Sequence, residues 1–356
     1  MYKDIKTINN ISIKDFFSIK NIELQNLKDK KEIYIMGENG DGKTLLLQAI
    51  AISLVGIKEG DVFNLLKNAN DYDLSVIDSD ENEFNSKSDE VYNHILAYGA
   101  LRNSSCGMKE DSVGYLTLFN GAYDLKNPIK WLQYLDYSQK ADKKTIISTE
   151  KAKEILNRLL NSQIDIDISP DSVTFKERGS LVSFEQLSAG YRGVITIICD
   201  LIARFGNTQE VEDISDFQGI VLIDEIEVHL HPKWKYNFMN KLREIFPLIQ
   251  FIITTHSPTV ILGASKDAIF YKIYKDDGEV QISNAMNNEG YTQNSLISSP
   301  LFELESIASR FVEKDISNSD YVYSKIHKQI SERLKEDRDI DEDELMRLID
   351  IELDKL

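Results

Sequence analysis

Residues 37 to 44 read Gly-Glu-Asn-Gly-Asp-Gly-Lys-Thr, a full match to the spacing G-x-x-x-x-G-K-[ST]. Glycines at 37, 40 and 42 let the backbone turn its N–H groups inward as a nest for anions. Lys43 brings a point charge to the β- and γ-phosphates of a nucleotide, and Thr44 offers a hydroxyl to Mg2+. The nucleotide-binding stretch is expected to run through Gly37, Glu38, Asn39, Gly40, Asp41, Gly42, Lys43, Thr44 and Leu45.

Two carboxylates close an apolar run, Gly219-Ile-Val-Leu-Ile-Asp-Glu225. An acid at the tip of a strand beside the phosphate loop can reach Mg2+, so Asp224 is expected to share the metal with Thr44. Glu225 would orient or deprotonate the water that attacks the γ-phosphate. A further run, Phe251-Ile-Ile-Thr-Thr-His-Ser-Pro258, carries a histidine 31 residues after Glu225. A single histidine is more often structural, yet at a strand end His256 can contact the γ-phosphate. The expected catalytic set is Lys43, Glu225 and His256. In Leu187-Ser-Ala-Gly-Tyr-Arg192, Ser188 and the N–H groups of Ala189 and Gly190 form a helix start suited to an anion. Taken alone, that pattern is only a capping signal.

Other chemistry-bearing residues are not read as sites. Glu225, Glu227, His229 and His231 alternate like zinc ligands, but they continue directly from the strand that ends in Asp224. Phe16 and Phe17 read better as core than as an adenine platform. Arg102 and Arg192 suit surface pairing as well as phosphate contact. Cys199 lies in an apolar stretch and Cys106 has no partner motif, so neither suggests a disulfide.

These residues need elements to hold them. Ile11–Lys14 and Ile19–Leu24 read as a hairpin, Glu32–Met36 as a strand entering the phosphate loop, and Leu45–Val55 as a buried helix. Residues 56–93, polar and acidic without a sustained period, read as an insertion or mobile loop. Ile95–Gly99 is a candidate core strand, and Thr149–Leu160 a helix capped by Ser148 or Thr149. Apolar residues at 191, 194, 195, 198, 201, 202 and 205 recur with period 3.6, predicting an amphipathic helix. The unbroken runs 220–223 and 251–253 suit central parallel strands. Residues 268–282 read as a hairpin around Asp277-Gly278. From Ser306 the chain reads as helical.

Charge narrows the partners. The net charge is −18, and residues 71–90 and 336–356 contribute −7 each. The remainder is close to neutral, so no broad field for phosphate backbones exists; nucleic acid is possible but unsupported by charge. No run of 18 apolar residues is present and none starts the chain, so no membrane span is expected and a cytoplasmic location is.

The order GENGDGKT, LSAGYRG, VLIDE, TTHSP resembles that of ABC-type ATPases over roughly residues 1–285. The opening IKDFFSIKNIEL, AYGALR at 97–102 and DEIEVHLHP at 224–232 resemble the SMC/RecF/OLD-like branch more specifically. The resemblance implies an α/β P-loop NTPase with ABC-ATPase head architecture: a mixed sheet with an N-terminal antiparallel β-subdomain, a signature subdomain near 120–205, and a helical C-terminal region over 286–356. It implies ATP with Mg2+, and a homodimer or higher even-numbered homo-oligomer in which Ser188, Ala189 and Gly190 act in trans on the partner's nucleotide. Ala189 and Tyr191 depart from the common LSGGQ form, and no Q-loop glutamine is evident; Gln48 lies inside the helix after the phosphate loop. Lys43 and Asp224 are only 181 residues apart, too few for a long coiled-coil arm. The acidic stretch at 336–345 reads as a solvated helical face, with no Toprim nuclease expected.

The resemblance implies an ATP-binding and ATP-hydrolysing switch that controls a separate effector, a nuclease or toxin, in a bacterial anti-phage defence or toxin–antitoxin-like system. The competing expectation is a RecF-like DNA-repair or DNA-binding ATPase. A transporter nucleotide subunit is disfavoured by the degenerate signature.

Overall fold

The structure, a computed structural model, describes residues 7–287 apart from 58, 68, 70, 88–90, 102–108, 161–163, 178, 229 and 231. Cys106, Arg102, His229, His231 and the helical stretch expected beyond 287 lie outside the described residues, which fall in the compact unit Met1–Glu289. The chain opens on β1 (Ile8–Phe16), β2 (Ile19–Leu24), β3 (Glu32–Met36) and α1 (Lys43–Val55). It continues through α2 (Gly60–Leu66), β4 (Asp73–Asp78), β5 (Glu83–Asn85), β6 (Ile95–Tyr98), β7 (Lys109–Glu110), β8 (Tyr123–Asp124), α3 (Pro128–Lys140) and α4 (Thr149–Leu159). A three-stranded sheet of β9 (Ile164–Ile168), β10 (Val173–Glu177) and β11 (Ser180–Val182) precedes α5 (Ala189–Thr208). Then follow β12 (Gly219–Ile223), α6 (Pro232–Ile245), β13 (Ile249–Thr255), α7 (Pro258–Leu262), β14 (Ile269–Asp276), β15 (Glu279–Ile282) and β16 (Met286–Asn287).

One mixed sheet dominates, in the order β5-β4-β1-β2-β15-β14-β3-β13-β12-β6, with β16 beside β14. Neighbours from β6 through β12, β13 and β3 to β14 pair in parallel. The other half is mostly antiparallel: β14 with β15, β2 with β1, β1 with β4, and β4 with β5. The fold class is therefore α/β, with an antiparallel portion built largely from the N-terminal strands. The sequence dictates the division. β3, β12 and β13 are buried at every residue, as largely apolar strands covered on both faces should be, with Glu32, Gln250, Thr254 and Thr255 as buried polar exceptions. β2 alternates from Asn21 to Leu24, with Ile22 and Leu24 inward, and Ile19 is buried at its start. The β14–β15 hairpin turns at Asp277 and Gly278, both at positive φ (47° and 83°), the backbone that an Asp-Gly pair tolerates. Helix α1 is apolar around its circumference and is accordingly buried along most of its length.

One expectation is corrected. Where 56–93 reads as a mobile acidic loop, α2, β4 and β5 stand, and β4 pairs with β1 as part of the main sheet. Leu74, Val76 and Phe84 are buried while most acids around them remain at least partly exposed. Two or three apolar residues suffice for a short peripheral strand pair, but they are too few to show as a period among so many acids.

Candidate nucleotide site

The phosphate loop follows the carboxyl end of β3, and Asp224 and His256 follow the ends of β12 and β13. In an open parallel sheet these strand ends form the ligand crevice. Gly40 and Gly42 take left-handed backbone (φ 93° and 99°), and Gly42 is the N-cap of α1. At Gly37 a Cβ would meet the Ile273 carbonyl at 2.4 Å, so β14 packs directly against the loop. Lys43 is 5% exposed, and its Nζ donates to the carbonyls of Gly37 at 2.9 Å and Glu38 at 2.7 Å. Asp41 braces the loop by accepting from the Glu38 N–H at 2.7 Å. An ammonium has three donors, and these two carbonyls hold it at the mouth of the loop with one remaining. Asn39 and Glu38 are exposed, while Leu45 packs against the core.

Strand β13 lies between β3 and β12, yet Thr44 and Asp224 meet across it: Thr44 Oγ1 donates to Asp224 Oδ2 at 2.7 Å. Thr254 of β13 closes the arrangement. Its Oγ1 donates to Asp224 Oδ1 at 2.6 Å and accepts the Glu225 N–H at 2.7 Å. Asp224 N–H in turn donates to the Tyr98 carbonyl at 2.8 Å. Hydroxyl and carboxylate oxygens are hard donors of the kind Mg2+ takes, so the residues present fit the ion. Glu225 sits at φ +46°, an uncommon conformation for a glutamate and a form of strain that concentrates at functional positions. His256 is anchored by Glu227, whose Oε1 lies 2.7 Å from the His256 backbone nitrogen and 2.9 Å from Nδ1.

Ser188 is the N-cap of α5, its Oγ accepting from the Tyr191 N–H at 3.4 Å; Ala189 and Gly190 form the first turn. Tyr191 packs edge-on against Trp234 of α6 with ring centroids 4.6 Å apart, tying this helix to the one after β12. Arg192 donates to the Glu185 carbonyl. Farther along α5, Asp200 is fully buried and accepts from Arg204 Nε at 2.8 Å, Tyr98 Oη at 3.1 Å and Lys126 N–H at 2.9 Å. Burial holds its carboxyl above the usual range despite these donors. Arg204 also donates to the Asp111 carbonyl at 2.6 Å, and the Asp111 carboxylate collects the N–H groups of Val113, Gly114 and Leu116. Cys199 is buried, and burial pushes its thiol up, in keeping with a small core residue. Phe16 is core, whereas Phe17 is partly exposed.

The structure thus gathers the phosphate loop, Asp224 and Glu225 into one hydrogen-bonded cluster at the strand ends, with His256 ending the intervening strand. Ser188 starts a separate helix, α5. Sequence reasoning missed Thr254, Asp111 and Asp200, and weighed Glu227 only as a zinc ligand. Thr254 carried a signal, a polar break in an apolar strand. Gln48 donates to the Leu118 carbonyl at 3.0 Å, beside β6 rather than into the loop.

Comparison with known proteins places this geometry in context. The Septu protein PtuA of Bacillus mycoides (strain KBAB4) is 29% identical over 333 residues, covering 85% of this chain and 46% of that protein. The retron Vc95 probable ATPase of Vibrio cholerae serotype O1 biovar El Tor is 34% identical over 139 residues, covering 38% of this chain and 27% of its own length. The chain thus spans less than half the length of these curated relatives. Among solved structures, an SMC head bound to the C-winged helix domain of ScpA aligns with TM-score 0.47 at 14% identity, covering 80% of this chain and 98% of that one. No helix of the described residues is long and apolar enough to cross a membrane. The family model described as AAA ATPase domain matches residues 58–261, a span that starts after the phosphate loop and includes Asp224, Glu225 and His256. The chain belongs to the AAA ATPase domain family.

Proposed function

We propose that the chain is an ATP-hydrolysing switch of the SMC/RecF/OLD-like kind, which closes head-to-head with a second copy around two nucleotides and controls a separate effector. The observation that carries this reading is the contact of Thr44 with Asp224, with Thr254 joining Asp224 to Glu225. Lys43 and the loop N–H groups hold the β- and γ-phosphates. Thr44 and Asp224 would hold Mg2+, which would supply charge neutralisation at the phosphate oxygens. Glu225 accepts the proton of the attacking water, and His256 contacts the γ-phosphate. Ser188, Ala189 and Gly190 present a helix start to the nucleotide of the partner copy. The Septu and retron relatives favour a bacterial anti-phage setting, and the effector proposed for this chain is a nuclease or toxin.

The test is light scattering of Glu225→Gln with Mg2+, with and without ATP. Turnover should fall about 10²–10⁴-fold, and ATP should lock a dimer that adding Ser188→Arg abolishes. A mass indifferent to ATP, in a protein whose wild type still hydrolyses it, would overturn closure by association.

A further inference from the structure

Glu227 is a deeply buried acid beside the nucleotide site that the proposed reaction does not use. Its side chain is 2% exposed, while the imidazole it holds is 51% exposed. A glutamate is almost never buried so fully without a partner. Here one oxygen, Oε1, meets both the backbone nitrogen of His256 at 2.7 Å and its Nδ1 at 2.9 Å. The other, Oε2, is buried and has no hydrogen-bond partner among the described residues. Burying a carboxylate on so few contacts is a poor route to stability. It is an effective route to geometry, because a carboxylate only accepts. A ring proton must then reside on Nδ1, and Nε2 is the nitrogen left to meet another group.

We infer that Glu227 is a positioning residue for ATP turnover, accepting from Nδ1–H of His256 and holding the ring in one orientation, so that Nε2 faces the γ-phosphate and donates to it in the doubly protonated ring. The inference rests on the assignment of His256 above. Buried carboxylates that fix an imidazole by its inner nitrogen do the same for metal-bound histidines. Two anchor points on one oxygen, one from the backbone and one from the ring, leave the side chain little freedom to rotate. The polypeptide supplies both from neighbouring strand ends: Glu227 lies three residues after Asp224 and His256 directly after β13.

Steady-state kinetics and histidine side-chain 15N spectra of the full chain test this. Glu227→Ala should lower kcat about 10–100-fold with KM for ATP unchanged. Glu227→Gln, which keeps an acceptor oxygen for both N–H groups, should recover most of that loss. In a His256→Ala background, Glu227→Ala should cost nothing further. The His256 signal, identified by its disappearance in His256→Ala, should show Nδ1–H in the wild type and in Glu227→Gln, and a tautomer mixture in Glu227→Ala. An equal loss from Glu227→Ala with and without His256, or an unchanged tautomer, would overturn the inference. Wild-type turnover in His256→Ala would instead overturn the assignment of His256 itself. Impaired His256→Ala beside normal Glu227→Ala would overturn the role of Glu227 alone.

Discussion

Thr44 and Asp224, 180 positions apart in the chain and on opposite sides of β13, are joined by a 2.7 Å hydrogen bond from hydroxyl to carboxylate. That bond holds two hard oxygens side by side at the mouth of the phosphate loop. Thr44→Val keeps the shape and removes the hydroxyl. ATPase activity should fall on the order of 100-fold, with part of the loss recovered at raised Mg2+. Unchanged turnover at low Mg2+ would show that Thr44 is not a metal contact.

Thr254 should matter nearly as much, through its neighbours. It donates to Asp224 and accepts from the Glu225 N–H, so it fixes both the carboxylate and the backbone that carries the next one. Thr254→Val leaves a partly buried N–H and a buried carboxylate oxygen each without this partner, costing about 1–3 kcal/mol of stability. Turnover should drop about 10–100-fold, and Thr254→Ser should restore both. Chemical denaturation alongside ATPase kinetics checks the pair; a valine variant that is destabilised but fully active would remove Thr254 from the site.

The contrast between Thr44 and Thr254 shows what the sequence makes legible. Thr44 is found by spacing, because the loop chemistry demands glycine, lysine and hydroxyl at fixed intervals. Asp224 and His256 are found because each ends or follows an apolar run. The parallel strands and the Asp-Gly hairpin are legible for the same reason, since period and turn chemistry are local. Thr254 depends on β13 lying between β3 and β12, a fact of sheet order that no local pattern encodes. Asp111 and Asp200 likewise acquire meaning only when the segment after β6 folds against α5. The strands β4 and β5 were hidden by the acids that flank their few inward residues.

Glu225 offers a separation of stability from activity. Its φ of +46° costs a non-glycine residue roughly 1–2 kcal/mol, and asparagine tolerates that region better. Glu225→Asn should therefore unfold at an equal or higher denaturant concentration than the wild type, while turnover falls about 10²–10⁴-fold. A variant that is clearly less stable would mean that the carboxylate contributes more to folding than its backbone costs.

The ion pair inside α5 gives the last prediction. Arg204 lies 2.8 Å from Asp200, and its other end reaches the Asp111 carbonyl, so one guanidinium ties α5 both to its own turn and to the segment after β6. Arg204→Met fills much of the same space and leaves the buried Asp200 carboxylate with only the Lys126 N–H and the Tyr98 hydroxyl of its present donors. Removing one partner of a buried pair costs about 3–5 kcal/mol. The pH dependence has a definite sign. Burial already raises the Asp200 carboxyl above its unfolded value, and losing the cation raises it further. A raised carboxyl is most compatible with the fold when protonated, so its penalty vanishes below the unfolded pKa and grows as pH rises through the folded one. The deficit of Arg204→Met relative to wild type should thus be smaller at about pH 5 than at about pH 8, measured by urea unfolding at both. A deficit independent of pH would mean that the loss is one of packing, with Asp200 neutral throughout.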